Sequence, residues 1–337
     1  MSSKRSFLAP FTPLYRVAIA IRNRRFDSGR RAVTFDRPVI SVGNLSTGGT
    51  GKTPFTMHLI RMLRDAGHNP CVAMRGYGAP KGKGQDSDEA REYLSAFPNL
   101  PLVAQPDRTT GLIELFARDE NNTISPIILD DGFQHRQIAR QLDIVLMDAT
   151  RSAFEDSLLP AGNLREPVAN LARAHVLVIT HAKQASNIRQ QALAINPNLI
   201  ICECDHAWNG FVDAHNTPLE ITALRNSRVF ALCAIGNPHA FFEQASSVAN
   251  IVGKAALRDH DPYSDATIAS LAKQIEAVNA DTLLVTNKDW SKLQRLQPAS
   301  WPSCIKQVVR PVLTIEFRSG EAELRNIILK TASSTVE

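Results

Sequence analysis

Cysteine is scarce in this chain. There are five, Cys71, Cys202, Cys204, Cys233 and Cys304, an odd number scattered through apolar runs. This argues against a disulfide framework and suits a reducing compartment. Aromatic residues make up only 6% of the 337. They do not interleave with basic residues as RNA-binding modules require, so no nucleic-acid partner is expected. Long apolar runs are lacking at the N-terminus: Val17 to Ile21, the longest in that arm, is far short of the ~20 residues of a bilayer span. It is short for a signal-peptide core too, and no small-residue cleavage site follows. Acidic charge is missing from one place. Residues 1–31 carry eight Lys or Arg against Asp27 alone, a net +7, while the whole chain is +5, so the body is slightly acidic.

The rest of the composition, 44% hydrophobic and 21% charged, is that of a soluble core-forming protein. The length is too great for a typical single core and predicts two domains.

The chain is organised around Val39 to Thr53. Val39–Val42 reads as a buried strand. A glycine-rich turn follows, and Lys52-Thr53 open a segment of helical periodicity (Phe55, Met57, Leu59, Ile60, Leu63). This is the phosphate-binding loop of nucleotide enzymes. Glycines let backbone N–H groups converge on an anion, and the helix N-terminus adds partial positive charge. Gly48, Gly49, Thr50, Gly51, Lys52 and Thr53 are the candidate ATP-binding residues, with Lys52 reaching the β/γ-phosphates and Thr53 ligating Mg²⁺. The pattern is not strict, because Ser46 stands where the first glycine belongs.

Downstream, Pro70–Met74 reads as a strand and Ala90–Phe97 as a helix introduced by Asp88-Glu89. Taken alone, Asp88 is a first-turn carboxylate facing the helix dipole. Ile124 to Leu129 is a strand ending in Asp130-Asp131, the Walker B arrangement, whose carboxylates face the phosphate loop's crevice and hold Mg²⁺. Strands at 143–147 and 175–180, a helix at 185–194 and Arg165-Glu166 in a Pro/Gly-punctuated loop complete a doubly wound, mostly parallel α/β sheet. Two alternating runs, 200–204 and 211–219, read as a β-ribbon connecting to a second, smaller α/β domain. The boundaries predicted are a basic arm 1–31, a nucleotide domain 32–198, a ribbon 199–227 and a small domain 228–330.

Three local patterns need weighing. Cys202, Cys204 and His206 share a strand face but lack zinc-finger spacing, so a metal there is disfavoured. Asn287-Lys288-Asp289 resembles the guanine-reading motif of GTPases, yet its aspartate comes one position early and in the other domain. His260 stands between Asp259 and Asp261; flanking carboxylates raise imidazole basicity, but taken alone a surface-turn histidine is the better reading. In the arm, Leu8, Phe11, Leu14, Tyr15, Ala18 and Ile19 or Ile21 recur at helical spacing beside the arginines. An amphipathic helix on an anionic membrane and a helix docked on the protein's own core both fit.

In this order the motifs resemble one family, the tetraacyldisaccharide 4′-kinases, which phosphorylate the lipid A precursor of Gram-negative bacteria. The matching stretches are Ser41-Val-Gly-Asn44, Gly48-Gly-Thr-Gly-Lys-Thr-Pro54, Arg75-Gly-Tyr-Gly78, Asp88-Glu89, Asp130-Asp-Gly-Phe-Gln-His-Arg136, Leu159-Pro-Ala-Gly162, Leu164-Arg-Glu-Pro167, Gly236-Asn-Pro238 with Phe241-Phe242, Asp259-His260 and Lys288-Asp289. The resemblance implies transfer of the ATP γ-phosphoryl to the 4′-hydroxyl of an acylated glucosamine disaccharide 1-phosphate. It further implies two α/β domains joined by a β-ribbon and a peripheral position on the anionic cytoplasmic face of the inner membrane; a monomer is expected. It assigns Asp88 as catalytic carboxylate and His260 as its partner from the other domain, with His135, Arg165 and Glu166 lining the reaction site. Two departures stand out: Ser87 and Ala90 around the catalytic aspartate, and Asn287 and Trp290 around Lys288-Asp289. A P-loop switch or partitioning-type ATPase is the competing class, but its signature lysine before the glycine pair is replaced by Thr47.

Overall fold

Every residue of the strand Val39–Asn44 (β1) is buried, as a parallel strand covered on both faces must be. The computed structural model describes residues 6–27, 32–48, 50–76, 87–182, 187–236, 238–258, 261–295 and 301–336. The chain divides into two compact units, Met1–His206 with Ile315–Glu337, and Ala207–Thr314.

In the first unit β1 is flanked by β4 (Ile127–Asp130) and β5 (Leu142–Asp148), both parallel to it. Beyond β4 come β2 (Cys71–Met74) and β3 (Leu102–Ala104); beyond β5 come β6 (Val176–Thr180) and the start of β7 (Ile200–Asp213). All these pairings are parallel. The order is that of a doubly wound sheet, with the phosphate loop at the carboxyl ends of its central strands, where ligands of such sheets bind.

Side-chain alternation along the strands feeds two cores. Ile40, Val42 and Ile128 pack with Phe55, Leu59, Ile60 and Leu63 of α2 (Lys52–Asp65) and with Tyr93 of α3 (Asp88–Ala96). The same core takes in Leu324, Ile328 and Ala332 of the C-terminal helix, Glu321–Ala332. Val39, Ile127 and Leu129 face the other way, toward Leu112 of α4 (Arg108–Phe116). Each fully buried large side chain here contributes about 1.5–3 kcal/mol, so α2, and with it the phosphate loop's exit, is firmly seated.

The strands of the second unit run in the order β10 (Ile251–Ala256), β9 (Val229–Cys233), β11 (Thr282–Val285), β12 (Gln307–Ser319), with β9, β10, β11 and the start of β12 paired parallel. One face packs Phe241 and Ala245 of α6 (Pro238–Val248); the other packs Ile268, Leu271 and Ile275 of α7 (Asp265–Ala277). Asp289 is fully buried, accepting hydrogen bonds from the Ala234 N–H at 3.1 Å and the Thr286 hydroxyl at 2.7 Å. It is a tie within the fold. The two runs predicted between 200 and 219 are one long strand, β7, and a short one, β8 (Pro218–Glu220), which pairs antiparallel with its end. Residues 205–209 of β7 are only partly covered, which lets Asp205, His206 and Asn209 stand within the strand.

Cys202 and Cys204 are buried in the first unit's core, where burial pushes both thiols up to about 12. The Cys202 thiol donates to the Gly320 carbonyl at 3.2 Å. No group of three or more His, Cys, Asp or Glu among the described residues is arranged to hold a metal.

Candidate active site at the phosphate loop

α2 starts at Lys52 because Gly51 turns the chain with φ 80°, a left-handed conformation that favours glycine. A Cβ there would also lie 2.3 Å from the His206 ring. No side chain caps this helix start, so its first N–H groups are available to an anion. The loop is held from both sides. Asn44 donates to the Thr50 hydroxyl at 3.1 Å, and Thr180 donates to the Thr50 carbonyl at 3.4 Å. Thr47 N–H reaches the Asn163 carbonyl at 2.8 Å, and Arg165 N–H reaches the Leu45 carbonyl at 2.7 Å. The segment carrying Arg165 is thereby fastened to the loop's entrance.

Charge concentrates at the end of β4. Asp131, turned by φ 50°, receives Arg165 Nη1 at 2.9 and 2.7 Å and Lys52 Nζ at 3.6 Å. Burial raises its pKa, but Lys52 and then Arg165 outweigh burial and hold the carboxyl below its usual value. Asp130 is different. It is 4% exposed, and its oxygens accept from the Tyr93 hydroxyl at 3.0 Å and the Asp131 N–H at 2.9 Å. Burial moves its pKa upward. Buried Arg108 of α4 donates to the Asp131 carbonyl at 3.5 Å, fixing this turn from behind.

His135 follows on the same turn. Burial, then Arg108 and Arg140, push its pKa down to about 4, so the ring is neutral at neutral pH. Its Nε2 is buried without a hydrogen-bond partner among the described residues. Glu166 is 1% exposed and engages a different set of partners. It accepts from Arg173 at 2.8 and 3.0 Å, Asn170 at 2.5 Å and Asn23 at 3.3 Å. Lys52, Asp131, Arg165 and Asp130 therefore come together, and Glu166 braces the segment beside them. Asp88 begins α3 after the cap Ser87, whose hydroxyl accepts from Ala90 N–H at 3.3 Å; the Asp88 side chain, Gly49 and His260 lie outside the described residues.

Tyr93, Arg108 and Arg173 join this network through contacts 23 to 40 residues away in sequence, and no local pattern marks them.

On the far side of the loop His181 Nδ1 lies 2.9 Å from Asp148, and its ring lies 5.5 Å from that of His206. The Asp148 hydrogen bond raises the His181 pKa against the effect of burial. A histidine raised on folding stabilises below its unfolded pKa of about 6.5 and loses that contribution as pH rises through the folded value. Asp148→Asn is accordingly expected to cost about 1–3 kcal/mol at pH 5.5. By pH 8.5 the cost should shrink to the part owed to Thr150, which also bonds Asp148. Urea melts at the two pH values measure this; an equal loss at both contradicts the pairing.

A phosphate loop beside paired carboxylates and two converging cations defines a P-loop nucleotide enzyme, an α/β protein that transfers phosphoryl groups. The profile of one family, LpxK, described as tetraacyldisaccharide-1-P 4′-kinase, matches residues 4–332. The chain belongs to this family. A tetraacyldisaccharide 4′-kinase of Pelobacter propionicus is 33% identical over 315 residues, covering 87% of this chain and 84% of its own. One from Chlorobaculum parvum is 29% identical, covering 100% and 98%. The crystal structure of LpxK from Aquifex aeolicus in complex with ATP matches with a TM-score of 0.76 at 28% identity, over 97% of this chain and 99% of that one.

Proposed function

We propose that the chain transfers the γ-phosphoryl group of ATP to the 4′-hydroxyl of an acylated glucosamine disaccharide 1-phosphate in lipid A biosynthesis, working from the membrane surface. The observation that carries the reading is the cluster at the loop, where Lys52 and Arg165 converge on one carboxylate, Asp131. Two cations on one anion leave net positive charge at an uncapped helix N-terminus, an arrangement suited to a triphosphate.

In this reading Gly48, Gly49, Thr50 and Gly51 present backbone N–H groups to the phosphates and Lys52 spans the β/γ-oxygens. Arg165 neutralises charge that develops on the transferred group. Glu166 acts indirectly, by fixing the backbone beside Arg165. His135, neutral and with an unpartnered nitrogen, offers one hydrogen bond to the acceptor. Asp88 accepts the proton of the sugar hydroxyl as the new P–O bond forms, and His260 sets that carboxylate's basicity.

The donor set fits Mg²⁺, which proteins hold through one or two carboxylates and substrate phosphates. Thr53, Asp130 and Asp131 would hold it, and it would neutralise charge on the β/γ-oxygens. Asp131, a third exposed where Asp130 is buried, carries the larger share, exchanging contacts with Arg165 and Lys52 for the ion. Asp131→Asn is expected to raise the Mg²⁺ concentration for half-maximal rate about tenfold. Titration of initial rates against Mg²⁺ tests this, and an unchanged requirement contradicts the assignment.

The arm supports the membrane setting. α1 (Thr12–Asp27), preceded by a 3₁₀ stretch Ser6–Phe11, exposes Phe7, Phe11, Leu14, Val17 and Ile21. Arg16 and Arg24 beside them are exposed, the pairing that suits an anionic bilayer. An acceptor with several acyl chains stays in the bilayer, so an enzyme resting there searches two dimensions. No helix among the described residues is long and apolar enough to cross a membrane. In this reading the enzyme works as a peripheral protein on the cytoplasmic face of the inner membrane.

A further inference from the structure

The inward face of α1 holds residues that an anchor does not need. Tyr15 Oη donates to the Arg165 carbonyl at 2.9 Å. Arg22 donates to the Gln134 carbonyl at 2.6 Å, and Asn23 to Glu166 Oε2 at 3.3 Å. In return Arg136 donates to the Asn23 carbonyl at 3.2 Å and pairs with Asp27 at 2.8 Å. The segments so gripped carry the cluster at the phosphate loop. Arg165 bonds Asp131 through its side chain and Leu45 through its backbone. Gln134 accepts from Arg165 at 3.3 Å and donates to the Asn44 carbonyl, at the end of β1, at 2.8 Å.

We infer that Tyr15, Arg22 and Asn23 are positioning residues for phosphoryl transfer, holding Arg165 and Gln134, and through them Asp131 and the phosphate loop's entrance, from the same helix that meets the bilayer. This rests on the proposed role of the Lys52–Asp131–Arg165 cluster. The helix has two faces with separate tasks. The outward one carries the apolar stripe; the inward one, where Ile19 is buried, carries polar groups aimed at backbone carbonyls and at Glu166. A carbonyl accepting such a bond fixes the peptide from which a catalytic side chain projects, and small displacements of that chain cost much in rate.

The test compares the two faces in the full-length enzyme. Tyr15→Phe removes one hydroxyl, and Asn23→Ala removes one amide whose partner, Glu166, keeps Arg173 and Asn170. Transfer to the tetraacyl disaccharide 1-phosphate is measured in detergent mixed micelles, where bilayer docking is not required. Association with vesicles containing anionic phospholipid is measured by co-sedimentation. The expected result is a kcat lower by about fivefold for Tyr15→Phe and more for the double variant, with KM for ATP, thermal midpoint and vesicle association unchanged. Phe11→Ser with Leu14→Ser, on the outward face, should instead reduce vesicle association at least tenfold. A double inward-face variant whose micellar kcat stays within twofold of wild type overturns the inference, as does a loss of kcat matched by a fall in thermal midpoint. Should the outward-face variant still bind vesicles, the membrane reading fails, while the positioning claim still stands or falls on the micellar kcat.

Discussion

Lys52→Met is expected to lower kcat/KM for phosphoryl transfer by about a thousandfold. The substitution keeps the length and bulk of the aliphatic stem, so α2 should still fold against Ile40 and Ile128; what disappears is the ammonium. That group lies 3.6 Å from Asp131 with its side chain 16% exposed, and in the proposed complex it turns to the β/γ-phosphates. Negative charge on the bridging and transferred oxygens is greatest at the transition state, so the loss should fall more on kcat than on KM. Initial-rate kinetics at saturating acceptor measure it. A drop below tenfold contradicts the role given to the lysine.

Asp88→Asn should be nearly as severe, with kcat lower by about 10²- to 10⁴-fold. Asparagine is isosteric and tolerated in a helix's first turn, and the start of α3 is already capped by Ser87, so the fold is preserved. ATP binding should persist, because the loop residues are untouched. Only the ability to accept the hydroxyl proton is removed. Retention of more than a tenth of wild-type kcat, with an intact thermal transition, rules out Asp88 as the base.

The buried strands were legible because parallel strands covered on both faces leave near-continuous apolar runs: Val39–Val42, Ile127–Leu129 and Val176–Ile179 each declare themselves. The glycine loop was legible because backbone geometry forces its composition, as at Gly51. The Walker B pair was legible as a type of residue at a strand end. Its inequality was not, because Asp130 and Asp131 differ only through Tyr93 on one side and through Lys52 and Arg165 on the other, all distant in sequence.

The arm shows the limit most clearly. Its helical spacing is real, but periodicity grouped Phe11, Leu14 and Tyr15 as one apolar set. In the fold Tyr15 turns inward to Arg165, 150 residues away, while Phe11 and Leu14 remain exposed. One face of the helix docks on the protein, and the other leaves Leu14, Val17 and Ile21 exposed. No motif marks the C-terminal helix, Glu321–Ala332, or its place in the same core as Ile40 and Phe55.

If ATP bound at Lys52 and Thr53 delivers its γ-phosphoryl to a lipid hydroxyl, thin-layer separation of products shows it most directly, after incubating the full-length enzyme with γ-³²P-ATP, Mg²⁺ and the tetraacyl disaccharide 1-phosphate in micelles. The expected result is label in a more polar lipid, formed in step with ADP and lost in Lys52→Met. Release of inorganic phosphate with no labelled lipid would contradict it and point to a P-loop switch ATPase.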